Sequence, residues 1–135
     1  MKKTTLLILF IFSTTIFHAQ TQLGGNLPGE DEANRSGTSL AMNTLGNFIV
    51  VGAPQAIIAY NGNIPVRGGH VRTYAYNGSG WTEGADFDAE QQGDAMGFSV
   101  AVSGDGSIIA CGAPQGRRWF FAETERDVMG LSYGH

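Results

Sequence analysis

The chain has 135 residues, 42% hydrophobic and 15% charged, with 20 glycines, 4 prolines and one cysteine, which bounds it to one small domain. Glycine stands at about twice its usual share and charge falls below the usual level of about 25%, a balance that favours short strands and tight turns and excludes a coiled coil. The lone Cys111 excludes a disulfide scaffold and a thiolate zinc cage, and a formal net charge of -4 offers no basic stripe for nucleic acid.

Residues 1–20 have the form of a secretory signal peptide. Lys2 and Lys3 precede an apolar run from Leu6 to Phe17, which ends at His18, Ala19 and Gln20. The run falls short of the ~20 apolar residues that a spanning helix needs, so export without stable membrane insertion is expected. The destination is the extracellular space, the periplasm or the cell surface. Removing the segment takes away both lysines and leaves six arginines against 12 carboxylates, an acidic chain that repels anionic lipid and nucleic acid.

An internal repeat with a period of about 60 residues organises the remainder. Ser36-Gly37-Thr38-Ser39-Leu40-Ala41-Met42, Gly46 and Ile49-Val50-Val51-Gly52-Ala53-Pro54-Gln55 form the first copy. Met96-Gly97-Phe98-Ser99-Val100-Ala101-Val102, Gly106 and Ile109-Ala110-Cys111-Gly112-Ala113-Pro114-Gln115 form the second. Each copy predicts a hairpin: two short strands joined through Asn43–Gly46 in one case and Ser103–Gly106 in the other, where Asp105-Gly106 supplies the positive φ that a tight turn requires. A further strand is predicted from His70 to Tyr76, turned by Asn77-Gly78-Ser79-Gly80, with a short strand opening at Trp81. Pro54 and Pro114 cannot donate to a ladder and end their strands. Cys111 takes the place of Val51 as a small buried hydrophobe.

The runs Met96–Val102, Asp105-Gly106 and Gly112-Ala113-Pro114, with their first-copy counterparts, resemble FG-GAP repeats. These are the blades of the propeller at the head of integrin α chains and of many secreted bacterial proteins. The resemblance covers roughly residues 22–115. It implies an all-β partial β-propeller of about two four-stranded antiparallel blades over 21–115, with the matched segments at 36–55 and 96–115. It also implies a non-enzymatic role in adhesion or ligand recognition at the cell surface, through the Gln55–Gly68 loop and the segment after Gln115. The partner is then an unknown protein or glycan. Two departures stand out: Ser36 and Met96 replace the family's aromatic, and the aspartate-rich calcium loop shrinks to Asp105 in one copy and to no carboxylate in the other. Calcium needs six or more oxygen ligands, so no cofactor or metal is carried over. The break in the repeat after Gln115 makes 116–135 a non-repeating tail and suggests the N-terminal part of a longer propeller.

Asp86, Asp88, Glu90 and Asp94 are the remaining metal candidate, but Gln91 and Gly97 stand where a calcium loop needs glycine and glutamate. They read as a solvated connection. The same carboxylates would serve the alternative of a secreted carbohydrate-active hydrolase, and Tyr60, Tyr74, Tyr76 and Trp81 that of a sugar-binding module. Without an enclosing cleft, and with His70 read as an ordinary edge residue and no nucleophile elbow, no catalytic residue is assigned. Asn34-Arg35-Ser36 and Asn77-Gly78-Ser79 match the glycosylation pattern but read as turns.

Overall fold

The computed structural model describes residues 22–116 and, as backbone, two strands at 120–123 and 131–133. The signal segment and the side chains of the tail lie outside them. Ten strands are present among the described residues, preceded by one 3-10 turn at Glu32–Asn34: β1 (Ser39–Met42), β2 (Phe48–Ala53), β3 (Ile57–Asn61), β4 (Ile64–Arg67), β5 (His70–Tyr76), β6 (Trp81–Asp88), β7 (Ser99–Val102), β8 (Ile108–Gly112), β9 (Phe120–Glu123) and β10 (Leu131–Tyr133). They form three sheets in the orders β1-β2-β5-β6, β10-β9-β8-β7 and β3-β4.

The hairpins form where the turn residues demand them. Asn43 turns β1 into β2 by accepting from the amides of Asn47 and Phe48. Ser103 does the same for β7 and β8, its hydroxyl accepting from Ile108 N. Gly46 and Gly106 take φ of 69° and 80°, a region closed to most side chains. The two hairpins also share the left-handed residues Arg35 and Ala95, at φ 56° and 57°, and Gly37 and Gly97, at φ 85° and 83°.

Alternation assigns each sheet its faces. Val50, Val71 and Phe87 share one face of the first sheet with Thr73, and meet Ile109 and Cys111 from the second sheet in a single apolar cluster with Ala89 and Met96. Val50, Val71 and Ile109 are completely buried, each worth about 1.5–3 kcal/mol of transfer free energy. Val100 and Val102 of β7 pack against the same cluster. The opposite face of the first sheet gathers Ile49, Val51 and Tyr74, capped by Leu27 and Trp81.

The sheets meet through a backbone contact. Gly97 presses on Gly52, where a Cβ on either residue would collide with the other's main chain. Ser39 Oγ donates to Gly97 O at 2.8 Å, Met96 N donates to Gly68 O at 2.9 Å, and Gly69 and Met96 form an isolated parallel bridge.

The all-β expectation matches this architecture, but the partial propeller does not. The described residues make three separate sheets, of four, four and two strands, none closed or curled as propeller blades would be. The segment Gln55–Gly68, expected as a binding loop, folds as the hairpin β3–β4 and stands as its own sheet. Gly62, at φ 61°, opens a two-residue Gly62-Asn63 turn that favours this pairing, and Pro65 is tolerated because the sheet has only edges. The tail adds β9 and β10 beside β8. The short strand expected at Trp81 runs eight residues to Asp88 and absorbs half of the acidic stretch.

Gly97→Ala should cost on the order of 3 kcal/mol or more, because a Cβ in the left-handed region costs roughly 1–2 kcal/mol before any collision with Gly52 and His70 backbone. Gly37→Ala, at nearly the same φ with no described heavy atom within 4 Å, should cost only the first part. Urea midpoints of the two variants measure the difference, and equal losses would show that the sheet joint imposes no constraint.

Candidate metal centre

The candidate site is built on the β5–β6 pair. Cross-strand partners project to one side of a sheet, so the pairings His70↔Asp88 and Arg72↔Asp86 put all four side chains on one face. A bulge then resets the register: Gly84 and Ala85 oppose Thr73, and Tyr74 pairs with Glu83. Thr73 Oγ1 fixes the bulge, accepting from Ala85 N at 2.7 Å and donating to Ala85 O at 3.2 Å. The extra residue switches the alternation of β6 and brings Glu83 onto the face that Asp86 and Asp88 already occupy.

On that face Arg72 is the central cation. Its Nε and Nη2 both donate to Asp86 Oδ2, at 2.9 and 2.8 Å, and Nη2 also pairs with Glu30. Glu83 Oε1 lies 3.6 Å from Nε. Burial would lower the pKa of the guanidinium, but the hydrogen bonds to Asp86 and Glu30 outweigh it and raise the pKa above its ordinary value.

The second oxygen of Asp86 points the other way, to His70. His70 Nδ1 lies 3.7 Å from Asp86 Oδ1 and 3.9 Å from Asp88 Oδ1, and one ligand atom from each of the three residues falls within 4.8 Å of the others. The imidazole is buried, 6% exposed, whereas the Asp88 side chain is 56% exposed. Burial, then the Asp86 charge, pushes the Asp88 carboxyl above its ordinary value against the pull of His70 and Arg72.

His70, Asp86 and Asp88 therefore come together, and Glu90 and Asp94 do not join them. Asp94 caps its own turn by accepting from Gln91 N at 3.2 Å. The reading of Asp86 and Asp88 as a solvated connection is corrected: both are strand residues. His70 begins a strand as expected but is no ordinary edge residue, being 5% exposed beside two carboxylates, those of Asp86 and Asp88. The signal that would have found it was the turn at Asn77–Gly80. Folding the 70–76 strand back through that turn, with one bulge, sets His70 opposite Asp88.

The other flagged residues have structural roles. Asn77 Oδ1 accepts from Ser79 N, Ser79 Oγ and Gly80 N, and Asn34 is buried with its Oδ1 accepting from Arg67 Nη1 at 3.1 Å. Cys111 lies in the inter-sheet cluster, where burial pushes its thiol up to about 12. Tyr74 is buried, and Tyr76 and Trp81 pack on each other with ring centroids 5.2 Å apart and planes tilted by 56°. Tyr60, 66% exposed, stands on β3 in the separate two-stranded sheet, so the four aromatics do not share one sheet face. Asp105 serves its turn, accepting from Ser103 Oγ, Ser107 N and Ser107 Oγ.

No protein-family model matches the sequence, and neither the curated proteins nor the solved structures contain a match. The FG-GAP and integrin-like resemblance is thereby overturned, and the adhesion and ligand-recognition role it implied goes with it. Its motifs are backbone requirements that any repeated β-hairpin shares: glycine at positive φ, glycine at a close approach, proline at a strand end. The hydrolase alternative falls too, because Asp86 is locked to Arg72 and Asp88 sits on an exposed strand end. Among the described residues no helix is long and apolar enough to cross a membrane.

Hydrogen bonds from Ser103 and Ser107 depress the Asp105 carboxyl to about 2, below its unperturbed value of about 3.9. The sign follows from linkage: the turn gains stability from the ionised form above the unperturbed value and loses it as pH falls towards 2. Carbon-detected NMR of the carboxyl groups should show Asp105 titrating near 2. A midpoint near 4 would mean that the serine bonds do not form.

Proposed function

We propose that the protein is an exported, non-enzymatic β domain that binds a divalent transition metal through His70, Asp86 and Asp88. One observation carries this reading: His70 Nδ1 stands 3.7 and 3.9 Å from two carboxylate oxygens, too far for hydrogen bonds and close to the spacing of ligands around an ion. Zinc with arms of about 2.0–2.2 Å sets tetrahedral ligands roughly 3.4 Å apart, so His70 needs to approach each carboxylate by only a few tenths of an ångström, and the two carboxylate oxygens start within 4.8 Å of each other.

The charge balance supports it. Glu30, Glu83 and Asp86 share the one charge of Arg72, and Asp88 stands beside His70, which leaves the face net negative and attractive to cations. A donor set of one imidazole and two carboxylates suits zinc and its divalent neighbours better than calcium, which takes oxygen ligands. Three protein ligands leave a fourth position for water. The charged start and apolar run of residues 1–20 support export, and the acidic remainder disfavours nucleic acid as a partner.

Isothermal titration with zinc chloride tests the reading. Zinc should bind with one-to-one stoichiometry and more tightly than calcium, and saturation at about 100 times Kd should stabilise the fold by about 2.7 kcal/mol. Asp88→Asn, which removes an exposed ligand without touching the core, should weaken zinc by about tenfold or more, and Glu90→Gln should leave it unchanged. Absence of zinc binding, or binding indifferent to Asp88→Asn, would overturn the proposal.

A further inference from the structure

We propose that copies of this chain associate head to tail, the β1 face and Gly37 turn of one copy seating on the outer face of β7 and β8 of the next. The contact reuses the joint that holds the two large sheets together inside each molecule. Both halves of that joint occur twice in the chain, and among the described residues only one of each is used.

The inserting half is used in the second hairpin. Ala95, Met96 and Gly97 are buried, and Val100 and Val102 pack against the inter-sheet cluster. Their counterparts in the first hairpin adopt the same backbone, with Arg35 and Gly37 at matching φ, yet lie open. Arg35, Ser36 and Gly37 are exposed, and the side chains equivalent to Val100 and Val102 are Leu40 and Met42, 59% and 49% exposed. Between them and the capping segment runs a cleft of about 160 Å³ lined by Leu27, Gly37, Leu40, Val51 and Tyr74.

The receiving half is used in the first hairpin. Gly52, Ala53 and Pro54 are buried there, and Ser39 Oγ donates to the arriving Gly97 O. In the second hairpin Gly112 and Ala113 are only partly buried, and Pro114, Ser99 and Ala101 are exposed. Gly112 keeps the absence of a side chain that the joint requires, with its own Ser99 the nearest described neighbour to a built Cβ.

A second copy is the occupant that fits both surfaces at once, because the geometry that closes one on the other is already realised within the chain. Leu27 shows how far the joint is complete without it: it caps Ile49 and Val51 as Phe87 joins Ile109 and Cys111. What remains open is the β1 edge. Since the two surfaces differ, the contact is heterologous and propagates into a ring or an open chain rather than stopping at a symmetric dimer.

Sedimentation velocity of the purified protein and two surface variants decides it. The wild type should show a mass that rises with concentration beyond the dimer. Leu40→Glu spoils the inserting face and Ala101→Arg the receiving face; each alone should be monomeric, with circular dichroism unchanged. An equal mixture of the two retains one good joint and should stop at a one-to-one dimer. A wild type that stays monomeric, association that survives either substitution, or a mixture that remains monomeric would each overturn the proposal.

Discussion

The approach of Gly97 to Gly52 is the constraint that the rest of the structure accommodates. Two main chains meet with no side chain between them, which only glycine permits, and the positive φ of Gly97 aims its carbonyl at Ser39 Oγ. Once that contact is made, Met96 is committed to the inter-sheet cluster and its amide to Gly68 O. The β4–β5 junction is thereby held in place, because Gly69 bridges to Met96 and accepts from Ala89 N at 3.0 Å. The carbonyl of His70 lies against the same Gly97. The residue that opens β5 and faces the two aspartates is thus positioned by the joint between sheets.

A second constraint acts on charge. Without the bulge at Thr73, β6 would continue its alternation and direct Glu83 to the side that packs on the second sheet, where an unpaired carboxylate is costly. The bulge sends it instead to the face of Arg72. Arg72 then spreads one positive charge over Asp86, Glu30 and, more distantly, Glu83, and Glu30 ties the segment before β1 to the outer strands. Asp88 is left with the least compensation, which is why burial and Asp86 prevail over Arg72 in setting its proton affinity.

The hairpins, the strand at 70–76 and the buried place of Cys111 were legible in the sequence because each depends on local chemistry. Turn residues sit at fixed offsets, and apolar residues alternate on strands that are half covered. What escaped was decided by longer-range pairing. Gln55–Gly68 contains the Gly62-Asn63 step but was overshadowed by the repeat, whose counterpart after Gln115 carries no such turn. Glu83–Asp88 looked like a loop because its charges hid a strand that alternates on either side of a bulge, and periodicity cannot register a phase change. The cluster of His70, Asp86 and Asp88 depends on that bulge, so composition alone showed its acids and missed its histidine.

The two copies of the repeat also explain why a shared scaffold carries chemistry once. The offset that superposes Gly37 on Gly97 and Gly52 on Gly112 sets Asn26 and Pro28 against Asp86 and Asp88, so the first copy has neither carboxylate at the corresponding places. Its segment does not pair as a strand; it crosses the sheet, with Leu27 on Ile49 and Val51 and Trp81 Nε1 donating to Leu23 O. What repeats is the set of positions where the backbone has no alternative, namely the left-handed turns and the glycines at close approach. The side chains between them are free to diverge, and in this chain one copy became a cap and the other a charged strand.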